Sequence, residues 1–318
     1  MTSRHTALSR ARSTVRAYRE LIAVLCAAVI GLSVQAPLRW LVDHQGINIL
    51  LVILVFATAV TITVGELRSV AAVKQRLAVS LAAGITVLPA LAWVVSHIAP
   101  AGPLRSGVLT IGLAPCEIAS VAATVMAGGR AAPASVMLIG STVLAVGVAA
   151  PILALEAGHA SVDSVELIVN LTLVVVAPLA IGILLRATRN IGEHRERLTS
   201  NTATVAVAAL VALIASEVHL STDYFGVAAA SVLFTAGAAG LGWLFSRGAD
   251  RAIAIPVLLS TSMRDFAVAA AIATAAFGAA AAAPLGLYGI VVIVWGTAVA
   301  GVLRRTNPTP STTAPLAT

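Results

Sequence analysis

The stretch AIAIPVLLSTSMRDFAVAAAIATAAFG, residues 252–278, is apolar and long enough to cross a bilayer, yet Ser260, Thr261, Ser262, Met263, Arg264 and Asp265 occupy its middle. A charged side chain at the bilayer centre costs at least ~2.5 to 3.5 kcal/mol and is by default functional. Such a run is expected to unwind into two half-helices whose charges face protein or a water-filled space rather than lipid. The stretch SGVLTIGLAPCEIASVAATVMAG, residues 106–128, repeats the arrangement, with Gly112, Pro115, Cys116 and Glu117 near its centre. Proline there removes a backbone hydrogen bond. Aligning Gly129 with Gly278 sets the two stretches 149 residues apart, close to half of the 318-residue chain, and brings Glu117 opposite Phe266, beside Asp265. Two halves of five spans each are implied. Because five is odd, the second half enters the membrane from the opposite side, and broken helices at matching positions of inverted halves point to a transporter's binding site.

The composition carries this reading to the rest of the chain. Hydrophobic residues make up 59% of it and charged residues only 10%, with a mean hydropathy of +1.00, whereas soluble domains are about one-quarter charged. Apolar runs fall over 21–37, 47–65, 77–98, 106–128, 132–155, 164–185, 202–218, 225–245, 252–278 and 284–303. Ten crossings use about 200 residues, and what remains cannot hold a separate domain of ~100 residues. An appended nucleotide-binding, kinase or DNA-binding module is thereby excluded. The expected protein is all-α and polytopic, with ten transmembrane helices in two inverted five-helix repeats and two discontinuous crossing helices. Its expected parts are a basic tail over 1–20, repeats over 21–158 and 159–305, and a disordered Pro- and Thr-rich tail over 306–318.

The net charge of +7 follows membrane topology, not nucleic-acid binding. Seventeen of the 20 Lys and Arg fall in segments on one side of the ten-span arrangement; Arg39 and Arg105 fall on the other, and Arg264 lies within a span. This bias over short loops predicts both termini in the cytoplasm of an integral protein of a bacterial plasma membrane. The first run has a competing reading as a cleaved signal peptide ending at Val34-Gln35-Ala36. Cys26 and Cys116 are too few for a disulfide framework, and the six histidines are not at ligand spacing. No metal site and no cofactor are expected.

The segments Gly112-Leu-Ala-Pro-Cys-Glu-Ile-Ala-Ser, Ala127-Gly-Gly-Arg-Ala-Ala-Pro-Ala-Ser, Ser141-Thr142 and Pro151 resemble the first crossover region of the bile acid:sodium symporter superfamily. Pro178-Leu-Ala-Ile-Gly-Ile-Leu-Leu-Arg186 resembles its sixth span, and Met263-Arg-Asp-Phe-Ala-Val-Ala its second crossover helix. The resemblance runs over about residues 50–303 and implies a panel domain and a core domain with substrate between them. Several of the family's sodium ligands are replaced. Its Ser-Asn pair stands here as Ser120-Val121, hydroxyls of the next helix fall at Ala134 and Leu138, its essential glutamate at Ser260, and a following Gln-Asn pair at Arg264-Asp265. Cys116 and the segment Phe266–Gly278 are similar to the arsenite-efflux branch, whose acidic residue falls on Ala267.

The expected binding residues are therefore Cys116, Glu117, Ser120, Thr124, Ser260, Ser262, Met263, Arg264 and Asp265. Ser120 and Thr124 share a helical face with Glu117; both equally suit a close helix contact. An ion pair between Glu117 and Arg264 that merely closes the crossover is the structural alternative. As a carrier, the protein would hold a small organic anion with Arg264 and the positive ends of the half-helices near Glu117 and Phe266. Coupling is to sodium or, from the residues, to a proton carried by Glu117 or Asp265. The alternatives are arsenite or metalloid efflux and, in another class, a channel or sensor. An intramembrane enzyme would need a nucleophile-base pair or metal constellation, and none is seen.

Overall fold

The computed structural model describes residues 22–23, 25–62, 74–156, 164–188, 193–218 and 221–305. The basic tail over 1–20 and the tail over 306–318 lie outside them. Among the described residues every element is helical, apart from one isolated β-bridge.

Among the described residues, five helices are long and apolar enough to cross a membrane: Gln75–Ser96, Ala131–Leu153, Val165–Thr188, Tyr224–Ser246 and Ala279–Arg305. At 1.5 Å per residue, 20 or more residues span about 30 Å, the thickness of the hydrocarbon core. In chain order the helices are α1 (Leu25–Ser33), α2 (Gln35–Asp43), α3 (Gly46–Ala59), α4 (Lys74–Ser96), α5 (Pro103–Thr110), α6 (Ala119–Met126) and α7 (Ala131–Glu156). They continue with α8 (Ser164–Leu171), a π-helical turn over Thr172–Val176, α9 (Ala177–Thr188), α10 (Glu193–Ser216) and α11 (Tyr224–Ser246). The chain then forms α12 (Arg251–Ser262), α13 (Phe266–Phe277), a 3-10 turn over Ala279–Ala282, and α14 (Ala283–Arg305).

The first apolar run does not form the straight span over 21–37. It bends by 96° between α1 and α2. The bend turns polar side chains of α2 toward the end of α10: Gln35 Nε2 donates to the Val218 carbonyl at 3.1 Å and Arg39 Nε to the Ser216 carbonyl at 2.9 Å. The last carbonyls of a helix lack intrahelical partners, so these bonds cap α10. Pro37 sits in the first turn of α2, where its missing N–H costs no helical hydrogen bond.

Helix α3 packs on both α9 and α10. A second group contains α4 to α7 and α11 to α14, while α13 also touches α3, α8 and α10, and α14 touches α10. Every residue of α13 from Phe266 to Ala273 is buried, and its alanine-rich surface permits close approach from all sides.

Both expected breaks are present. Residues 111–118 separate α5 from α6, and Met263-Arg264-Asp265 separate α12 from α13. The units α4–α5–α6 and α11–α12–α13 correspond closely. Helices α4 and α11 are each 23 residues long and end on Trp93-Val-Val-Ser-His97 and Trp243-Leu-Phe-Ser-Arg247. Ser96 Oγ donates to the Trp93 carbonyl at 2.7 Å and Ser246 Oγ to that of Trp243 at 2.8 Å. The cationic or aromatic partner repeats too, with His97 edge-on to Trp93 and Arg247 4.9 Å above the Trp243 ring.

Candidate functional site

The two unwound segments meet as strands. Cys116 pairs with Arg264 in an isolated antiparallel bridge. The Glu117 N–H donates to the Met263 carbonyl and the Asp265 N–H to the Pro115 carbonyl, both at 2.9 Å. Groups left unpaired by the helix breaks thus satisfy each other, the requirement that buried backbone imposes. The crossing sets Cys116 opposite Arg264 and Glu117 opposite Met263, whereas the sequence alignment places Glu117 opposite Phe266.

Alternation along a strand decides which side chains meet. Cys116 and Arg264, directly opposite each other, share one face, and Arg264 Nη1 lies 3.7 Å from Cys116 Sγ. Nη2 donates to the Ala114 carbonyl, while Nε is buried without a partner among the described residues. Ser80, Gly84, Met137, Ser141 and Thr261 complete a small cavity around this face. A Cβ built on Gly84 would stand 3.6 Å from Nη1, so the guanidinium lies against α4.

Glu117 and Asp265 occupy the other face. Asp265 caps α13, its Oδ1 accepting from the N–H groups of Ala267 and Val268 at 2.9 Å each. Glu117 spans both half-helix starts more loosely: Oε2 accepts from Phe266 N–H at 3.4 Å and Oε1 from Ala119 N–H at 3.5 Å. Asp265 borders a second cavity, which Val55, Thr58, Leu138, Val175 and Leu179 line from α3, α7, the π-helical turn and α9. Each cavity has about 10 Å³, room for roughly one water.

Two expectations change. The Glu117–Arg264 ion pair is not formed: the guanidinium's partners are a carbonyl and a thiol. The expected anion clamp is also divided, because the starts of α6 and α13 already hold the chain's own carboxyls and Arg264 points to the opposite face.

All nine residues singled out from the sequence are buried, Glu117 at 4% exposed being the most accessible. The hydroxyls of Ser120, Thr124 and Ser260 have no partner among the described residues. Ser262 and Met263 face α14: Ser262 Oγ accepts from Trp295 Nε1 at 3.0 Å, and Met263 packs on Gly296. Two residues not singled out complete the crossing. Tyr288 Oη accepts the Arg264 N–H at 3.1 Å, and Ser141 Oγ accepts the Cys116 N–H at 2.9 Å. A tyrosine inside an apolar run signals a buried partner for its hydroxyl, but not which partner.

No protein of curated function matches the chain. The profile described as Sodium Bile acid symporter family matches residues 48–228, more than half of it. The match contains Cys116 and Glu117 and stops short of Arg264 and Asp265.

Proposed function

The chain belongs to the Sodium Bile acid symporter family, and from that premise we propose that it is a secondary active transporter moving a small organic anion by alternating access. The family's members are membrane transporters, not enzymes. One observation carries the choice of an anion. Arg264 is 3% exposed, and none of its hydrogen-bond partners is a carboxylate. Its Nε donor is left without an acceptor among the described residues, which is costly for a buried group, and an anionic substrate supplies that acceptor, with Ser141 and Thr261 beside it. Both cavities at the crossing are too small for an organic anion. Binding at Arg264 therefore requires the helices that line its cavity, α4, α7 and α12, to part.

In this reading ten spans form two inverted five-helix repeats with both termini cytoplasmic. The matched units α4–α5–α6 and α11–α12–α13 support it, as does the antiparallel sense of their crossing, since chains entering from opposite sides run in opposite directions there.

For the coupling ion we favour a proton carried by Glu117. Asp265 is committed to capping α13, whereas the hydrogen bonds of the Glu117 carboxyl to the Phe266 and Ala119 N–H groups are long. Sodium is the second reading, favoured by the family and by the unpartnered hydroxyls of Ser120, Thr124 and Ser260. The test is uptake of labelled pyruvate, pantoate, a bile salt or arsenite by proteoliposomes under imposed proton, sodium or potential gradients.

A further inference from the structure

At the end of α4 remote from Lys74, a cavity of about 200 Å³ opens between α4, α5 and the last residue of α13. It is more than ten times the ~15 Å³ that a single water requires. Its floor is apolar, formed by Leu109 and Phe277, and its walls carry Trp93, Ser96, His97, Arg105 and Ser106. None of these residues borders the two cavities at the crossing.

Arg105 is the charged group here, and no Asp or Glu lines the space. Its Nη2 donates to the Ala99 carbonyl across a long 3.3 Å, while its Nε is buried and has no partner among the described residues. A desolvated guanidinium N–H without an acceptor is an unsatisfied donor, and the residue that carries it lines a space large enough to admit an oxyanion. His97 Nδ1 lies 2.8 Å from the Trp93 carbonyl. That contact directs its hydrogen toward the carbonyl and leaves Nε2 as the ring's second polar atom.

The cavity is not a by-product of the repeated helices. The Trp-Ser device that ends α4 is copied at the end of α11, but at the same spacing the positions matching Arg105 and Ser106 are Ile255 and Pro256. The polar lining from α5 belongs to this end of the molecule alone.

We propose that this cavity is an oxyanion site that takes a phosphate or carboxylate group, carried either by a small free anion or by the headgroup of an anionic lipid. The guanidinium supplies charge and directed N–H donors, Ser106 and His97 flank the anion, and Trp93 closes one side. The site is independent of what the crossing transports.

The full-length protein with Trp40, Trp243 and Trp295 replaced by Phe retains Trp93 as its sole indole. Its fluorescence is read with iodide and with neutral acrylamide as quenchers at constant ionic strength. For a free anion, inorganic phosphate protects Trp93 from iodide saturably in detergent. For a lipid headgroup, phosphate does not protect, but phosphatidylglycerol nanodiscs do so relative to phosphatidylcholine. In either case Arg105→Gln weakens the protection at least about tenfold, Arg105→Lys weakens it less, and Arg264→Gln leaves it unchanged. Absence of protection by both phosphate and phosphatidylglycerol overturns the site. So does protection that persists in Arg105→Gln protein eluting as wild type on size exclusion. Should Arg105→Gln fail to fold, protection in Arg105→Lys equal to wild type overturns the guanidinium's role.

Discussion

Cys116 and Arg264, 148 positions apart in the chain, stand directly opposite each other in an antiparallel bridge and turn their side chains to the same side, with Sγ 3.7 Å from Nη1. Their neighbours Glu117 and Asp265 consequently face the other way. The crossing therefore separates its charges, with a guanidinium on one face and two carboxyls at helix starts on the other. Under the proposed function, that division places substrate attraction and cation coupling on different sides of one two-strand contact.

The guanidinium face is probed by Arg264→Lys. Lysine keeps the charge but loses the planar fork that reaches Ala114 and Cys116 together. Uptake of the transported anion is expected to fall at least about tenfold with normal membrane insertion. Uptake equal to wild type would leave Arg264 a structural residue.

On the carboxyl face, Asp265→Ala removes the cap of α13 and should cost about 1 kcal/mol, read as a lower melting temperature in detergent, whereas Asp265→Asn should recover most of it. Glu117→Gln is expected to leave the melting temperature within a few degrees and abolish cation-driven accumulation while exchange of substrate across the membrane persists. Loss of coupling in Asp265→Asn with retention in Glu117→Gln would reverse the assignment.

Close backbone approach also tests the geometry at the entrance to the first break. A Cβ on Gly112 would lie 2.6 Å from both the Leu88 carbonyl oxygen and the Ala92 Cβ. Gly112→Ala should therefore destabilise by about 1 to 3 kcal/mol, as overpacking does. Gly240→Ala meets nothing within 4 Å and should be neutral. Equal melting temperatures for the two variants would contradict this packing.

Much of this arrangement is legible before any coordinates. Pro115 with Glu117, and Arg264 with Asp265, cannot lie in an unbroken lipid-facing helix, so both breaks follow from the cost of charge and of unpaired backbone in hydrocarbon. Side-chain direction is not legible. It depends on which residues of the two segments stand opposite each other in the antiparallel crossing. The Glu117–Arg264 pair is absent because Cys116 stands opposite Arg264 and strand alternation turns the next residue, Glu117, to the other face. The bend between α1 and α2 was equally hidden, because hydropathy registers the apolar residues of 21–37 but not the demand of the α10 carbonyls for Gln35 and Arg39. Tyr288 and Ser141 reach the crossing from α14 and α7, a proximity that sequence spacing does not encode.

Topology gives an independent check. Reporter fusions at Ala160 and Asn190 should report opposite sides of the membrane, as the asymmetry of Lys and Arg requires. The same side for both would remove the inverted repeat.

The coupling ion is separated by uptake with sodium replaced by choline, followed by a pH jump in sodium-free buffer. Proton coupling predicts uptake without sodium that rises when the outside is made more acidic. Strict sodium dependence with indifference to the pH jump would instead assign the cation to a site built from Ser120, Ser260 and nearby backbone carbonyls.

The central claim, an anion carrier working through the crossing at Arg264, is tested most directly by accumulation of labelled anions in proteoliposomes holding the purified protein and no ATP. The account predicts that at least one small organic anion accumulates above its outside concentration while a cation gradient is imposed. It predicts further that accumulation collapses when the gradient is dissipated, and falls sharply in Arg264→Lys. Entry that only equilibrates, independent of every gradient and unchanged in Arg264→Lys, would contradict it and make the protein a channel.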